Sequence, residues 1–132
     1  MDLKLVRLRA VYGKEYVPSQ AFLALRATDG KVVGMMEYRQ SPLTSFLLQY
    51  GGNIGYSVLP AERRKGYAKE MLSLLLPICR EYGETKVLIA CDKANEASRK
   101  TILQNGGILE NEAIERQGLS QSGVVQRYWI AL

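Results

Sequence analysis

Gly55-Tyr56-Ser57-Val58-Leu59-Pro60-Ala61-Glu62-Arg63-Arg64-Lys65-Gly66-Tyr67-Ala68 reads as a strand that stops at a proline and passes through a basic turn into a helix. Pro60 ends the strand because it has no N–H for a ladder. Beyond the turn, Tyr67, Met71, Leu74, Leu75, Ile78 and Tyr82 recur at spacings of three and four. That period predicts a helix over about 64–82 with one buried face. Pro77 is expected to kink it and Gly83 to end it. A helix N-terminus offers unpaired N–H groups and a partial positive charge, which together bind phosphate oxygens. Gly66 lets the backbone approach a ligand, Ala68 keeps the next turn slim, and Arg63, Arg64 and Lys65 add charge. Taken alone, Arg-x-x-Gly-x-Ala is equally a solvated first turn, and it lacks the spacing of a Walker-type loop.

Outward from this stretch, Lys86 to Cys91 is a continuous apolar run, as expected of a strand covered on both faces. Strand 53–59, helix 64–82 and strand 86–91 in that order predict a right-handed crossover with parallel strands. Upstream, Leu3 to Leu8, Ala21 to Arg26 and Lys31 to Tyr38 read as strands, the last two joined by Thr28-Asp29-Gly30 as a hairpin. Residues 40–52 read as a loop with one helical turn. Downstream, a second helix over 95–105 is capped by Asp92 or Asn95 and closed by Asn105-Gly106-Gly107, and residues 108–114 and 124–131 form a hairpin. The fold class is α/β (α+β): a central mixed, mostly antiparallel sheet flanked by helices.

The chain has 132 residues, 47% apolar and 23% charged, which suits a single domain over 1–132. The charged residues within the first seven exclude a signal peptide, and no apolar run approaches the roughly 20 residues of a membrane span, so a cytoplasmic location is expected. Cys79 and Cys91 lie in different apolar segments and there is no histidine, which excludes a structural zinc site. No metal is expected, and both thiols read as reduced, buried, small hydrophobes. The net charge of +5 is concentrated at Arg63-Arg64-Lys65, which favours a small anionic ligand over nucleic acid.

The run 55–68 resembles the central motif of the GNAT superfamily of N-acetyltransferases: a strand, Val-x-Pro, then Gln/Arg-x-x-Gly-x-Gly/Ala opening a helix. Asn95-Glu96-Ala97-Ser98 followed by Asn105-Gly106-Gly107 is similar to that family's next motif. The resemblance covers residues 20–131 in element order. It implies acetyl-coenzyme A as co-substrate and an amine acceptor, either a small molecule or a peptide. It also implies that strand 53–59 splays from strand 86–91, leaving a gap for the pantetheine arm. Tyr56, Ser57 and Val58 would pair with that arm as an added strand does, and an N–H there would polarise the acetyl carbonyl. Arg63, Arg64, Lys65, Gly66, Tyr67 and Ala68 would take the pyrophosphate. Asn95 and Ser98 would contact the pantetheine, with a plain helix cap as the competing role for Asn95.

Two departures stand out. Many relatives place a tyrosine seven residues after the asparagine to protonate the leaving thiolate, and here that position is Ile102. The substitutes are Glu37, Tyr56, Tyr128 or a water chain. The family also places one or two helices between its first two strands as a wall of the acceptor site, for which residues 9–19 leave about two turns. The acceptor side is then open, with Tyr12, Tyr16 and Phe46 as candidate lining, or completed by a second subunit in a homodimer. The alternative function is a catalytically silent acyl-coenzyme A binding or regulatory module.

Overall fold

The computed structural model describes residues 2–11 and 18–132. Strands β1 (Leu3–Val11), β2 (Ser19–Arg26), β3 (Val32–Arg39) and β4 (Ile54–Val58) form an antiparallel sheet in chain order. Strands β5 (Lys86–Asp92), β6 (Ile108–Ile114) and β7 (Val124–Ala131) form a second antiparallel sheet with β7 in the middle. Helix α1 (Tyr67–Glu81) links β4 to β5, and α2 (Glu96–Gln104) links β5 to β6. The class is the one expected: antiparallel sheets flanked by helices.

The alternation of β2 shows how one face is buried. Gln20, Phe22 and Ala24 point inward while Ala21, Leu23 and Leu25 stay half-exposed. Leu3, Phe22, Ala24, Met36, Tyr38 and Ile54 pack with Met71, Leu72, Leu75 and Cys79 of α1, and the same core continues through Val87, Ile89, Ile102 and Ile130. Glu70, in the first turn of α1, accepts the N–H of Leu3 at 3.2 Å and ties the helix to β1. Both cysteines are free and buried, as expected, and burial pushes the Cys79 thiol up to about 12.

The pairing of β4 with β5 differs from the expected parallel ladder. The two sheets meet at one isolated antiparallel bridge, Gly52 with Ile89, and every ladder among the described residues is antiparallel. The cause lies in the segment before β4. A single π-helical turn over Leu47–Gly51 ends at Gly52 with φ 70°, and a Cβ there would meet the Leu88 carbonyl at 2.5 Å. Arg39 donates to the carbonyls of Gly51 and Gly52 and Arg127 to that of Leu48, so side chains hold the turn. Asn53 then stitches the sheets together. Its N–H donates to the Leu88 carbonyl at 2.7 Å, its Oδ1 accepts the Leu88 N–H at 2.8 Å, and its Nδ2 reaches the Arg39 carbonyl at 2.9 Å. Beyond this seam the strands part, and β4 and β5 each present an unpaired edge to the gap.

Candidate functional site

Helix α1 begins at Tyr67 rather than near 64. Pro60–Glu62 forms a 3₁₀ turn, and Arg64 (φ 66°) and Gly66 (φ 82°) both take left-handed conformations that a helix cannot include. A Cβ on Gly66 would meet nothing within 4 Å, so the glycine is required by its φ and not by crowding. No side chain caps α1, and the first helical bond runs from the Glu70 N–H to the Gly66 carbonyl. Among the described residues, the N–H groups of residues 64–69 donate to no protein acceptor.

The loop is braced from the strand side. Arg26 donates to Glu62 at 2.6 Å and to Asp29 at 2.7 Å, and Lys65 approaches Glu62 at 3.4 Å. Burial works to raise the Glu62 carboxyl, but the bonds from Arg26 and Lys65 prevail and hold it below the usual range. Arg63 Nε donates to the Val58 carbonyl at 3.0 Å, while the guanidinium of Arg64 has no partner among the described residues.

These elements wall a groove of about 730 Å³, within the usual size range of ligand sites. One side is Tyr56, Ser57 and Val58 of β4, one end is the loop and the first turn of α1, and the far side is the start of α2. Asn95 Oδ1 accepts the Ser98 N–H at 3.1 Å, which is helix capping, and Asn95 also lines the groove. Tyr56 crosses the groove to α2, its hydroxyl 2.7 Å from Ser98 Oγ. Burial raises the phenol pKa, the bond to Ser98 opposes that only in part, and Tyr56 is neutral at ordinary pH.

Of the residues singled out from sequence, Tyr56, Ser57, Val58, Arg63, Arg64, Gly66, Tyr67, Ala68, Asn95 and Ser98 line this groove together. Lys65 does not, having turned to Glu62. Glu37 lies on the outer face of β3, paired with Arg39 at 3.4 Å, and Tyr128 is buried with its phenol donating to Gln126 at 3.0 Å. Neither reaches the groove. Ile102 is fully buried. Phe46 is 44% exposed and packs against Tyr50 with ring centroids 5.5 Å apart, away from the groove. Tyr12 and Tyr16 lie outside the described residues. Sequence reading missed Thr101 and Gln104, which follow Ser98 at helical spacing and so share its face.

The sequence matches the model of the acetyltransferase (GNAT) family over residues 6–106. No curated protein matches it significantly. Solved structures that share its fold include a spermidine N-acetyltransferase from Vibrio cholerae, 14% identical with a TM-score of 0.74, covering 98% of this chain and 94% of that one. A ribosomal-protein-S5-alanine acetyltransferase from Vibrio fischeri is 18% identical with a TM-score of 0.68, covering 86% and 61%. A ribosomal L7/L12 α-N-protein acetyltransferase solved in complex with coenzyme A is 20% identical with a TM-score of 0.67, covering 89% and 63%. This chain therefore spans less than two thirds of the length of these two ribosomal-protein enzymes. At such identities the likeness speaks for the fold.

Proposed function

Since the chain belongs to the GNAT acetyltransferase family, we propose that it moves an acetyl group from acetyl-coenzyme A to a primary amine, with the coenzyme lying in the groove between β4 and α2. The observation that carries this reading is the run of unpaired N–H groups over residues 64–69 at the mouth of that groove. Together with the partial charge of the helix end and the unpartnered Arg64, they form a binding site for a pyrophosphate. Two open strand edges face each other beyond it, and an arm carrying amides pairs with such an edge as an added strand. The two sheets join at the Gly52–Ile89 bridge, and Tyr56 is the groove residue nearest to it along β4, so the reactive end of the arm would come to rest near Tyr56.

Attack by the amine nitrogen on the thioester carbonyl forms the C–N bond and then breaks C–S. An N–H on the open edge of β4 is suited to the oxyanion, and the neutral phenol of Tyr56, backed by Ser98, to donate a proton to the departing thiolate. The incoming ammonium loses its first proton to solvent, since the groove carboxylate among the described residues, Glu62, is held by Arg26 and Lys65; after attack the adduct's nitrogen releases a second proton, which returns through solvent to the Tyr56 phenol. The acceptor is the amine of a small molecule or a peptide. A cytoplasmic setting suits the two free, buried thiols, and no helix of the described residues is long and apolar enough to cross a membrane.

The test has two steps. Acetyl-coenzyme A at about 100 times its dissociation constant should stabilise the fold by roughly 2.7 kcal/mol, read as a raised melting temperature. An unmoved melting curve at millimolar ligand removes the proposal. Thiol release is then followed with polyamines, lysine and peptide N-termini as acceptors. Binding without release on any amine would make the chain an acyl-coenzyme A binding module instead.

A further inference from the structure

Small residues line much of the groove: Gly66 and Ala68 at the start of α1, Ala97 and Ser98 on α2. They leave room for a thin ligand. Tyr56 breaks this pattern at the inner end. It pairs in register with Met36, a buried member of the core, so its ring stands on the helix side of the sheet. From there it spans the groove. Its hydroxyl lies 2.7 Å from Ser98 Oγ and 3.5 Å from the Ser98 carbonyl, which joins β4 to α2.

The space past the ring is filled. Tyr56 packs against the core, whose members include Ile54, Cys91 and Ile102, all buried. Among the described residues the lining takes in Tyr56, Ser57 and Val58 of β4, but neither Ile54 nor any residue of β5. A close-packed interior holds few voids larger than a water molecule, so a chain pushed past the ring must displace core side chains.

We infer that the Tyr56 ring, pinned to Ser98, is a stop that sets the length of the acyl group the site accepts: acetyl and propionyl fit, butyryl and longer chains do not. This rests on the proposed function, which brings the thioester end of the coenzyme beside Tyr56, and adds to it the class of acyl donor. To admit a longer chain the ring must swing aside, giving up its bond to Ser98 and exposing the core beside Cys91. The other way out is the gap between the unpaired edges of β4 and β5. The amine needs that gap, because it must reach the thioester carbon from a side the coenzyme does not fill. A long acyl chain turned into it would obstruct the acceptor.

Calorimetric titration of the full chain with coenzyme A and its acetyl, propionyl, butyryl and hexanoyl thioesters provides the test, and it needs no acceptor. One extra methylene changes the fit of an apolar pocket by roughly ten to two hundred fold. The unaltered chain should therefore bind butyryl-coenzyme A about a hundredfold more weakly than acetyl-coenzyme A. Tyr56→Ala, which removes the ring, should bring the two within about fivefold. Tyr56→Phe keeps the ring and should retain most of the discrimination, although it loses the phenol. Should Tyr56→Ala not fold, Tyr56→Leu keeps apolar contact with the core and decides in its place. Equal affinity of the unaltered chain for acetyl and butyryl donors would overturn the inference and leave the proposed function standing. So would discrimination that survives removal of the ring, or that vanishes as fully in Tyr56→Phe. A chain that binds none of these ligands, coenzyme A included, removes both.

Discussion

The two helices of this molecule begin in opposite ways. Helix α2 starts with a side-chain cap: Asn95 folds its side chain back on the Ser98 N–H. Helix α1, fifteen residues against nine, starts on a left-handed glycine with no side-chain cap. Its loop is held from behind, by Arg26 through Glu62 and Asp29, so that the N–H groups in front remain free. A cap is worth about 1 kcal/mol, and the longer helix of the described residues does without one while a partly exposed ion network braces its loop, which leaves those donors open as the proposed phosphate site requires. The contrast is between a helix start closed by its own side chain and one left open, to which the proposed function assigns the ligand.

The sharpest way to break this contrast is Gly66→Glu. A carboxylate brought to the open start should lower affinity for acetyl-coenzyme A by a hundredfold or more, about 2.7 kcal/mol, read by calorimetry. The left-handed φ of 82° adds a stability loss of about 1 kcal/mol, which Gly66→Ala measures separately. Equal affinity in the glutamate variant would place the ligand elsewhere.

Tyr56→Phe examines the link that joins β4 to the start of α2 across the groove. Loss of the phenol should reduce kcat about a hundredfold with KM for acetyl-coenzyme A little changed. An unchanged kcat with a lowered melting temperature would make Tyr56 a strut between β4 and Ser98. Asn95→Ala should cost about 1 kcal/mol of stability, a few degrees of melting temperature, while the ligand-induced rise persists.

The smallest effect concerns the brace. Its bond from Arg26 holds the Asp29 carboxyl at about 2, below the ordinary 3.8. A carboxyl depressed on folding stabilises above its unfolded pKa and loses that contribution as pH falls through the folded one. The difference in melting temperature between the unaltered chain and Asp29→Asn should therefore shrink from about pH 5 towards about pH 2. A constant difference would mean that the carboxylate charge plays no part in the brace.

What was readable beforehand follows the range of the physics. The basic turn, the amphipathic stripe of α1, the hairpin around Gly30 and the asparagine before α2 are local signals, and each appears where residue spacing put it. The start of α1 was placed three residues early because apolar period does not report the φ of Arg64, whose side chain fits either conformation. The seam at Gly52 and Asn53 was not readable, since it depends on Arg39, Leu88 and Arg127 brought from distant parts of the chain. For the same reason Glu37 and Tyr128 were named as possible reactive groups by chemistry alone. Strand parity sets one on the outer face and buries the other.

Gly52 acts mechanically as a pivot. Its missing side chain lets the two sheets close to contact at this isolated bridge, and beyond it β4 and β5 run without a shared ladder. Tyr56 lies four positions along the chain from that point and Val58 six, and both line the groove. A methyl group at position 52 would thus alter the gauge of the whole cleft at once, through leverage and without touching a single residue that lines it.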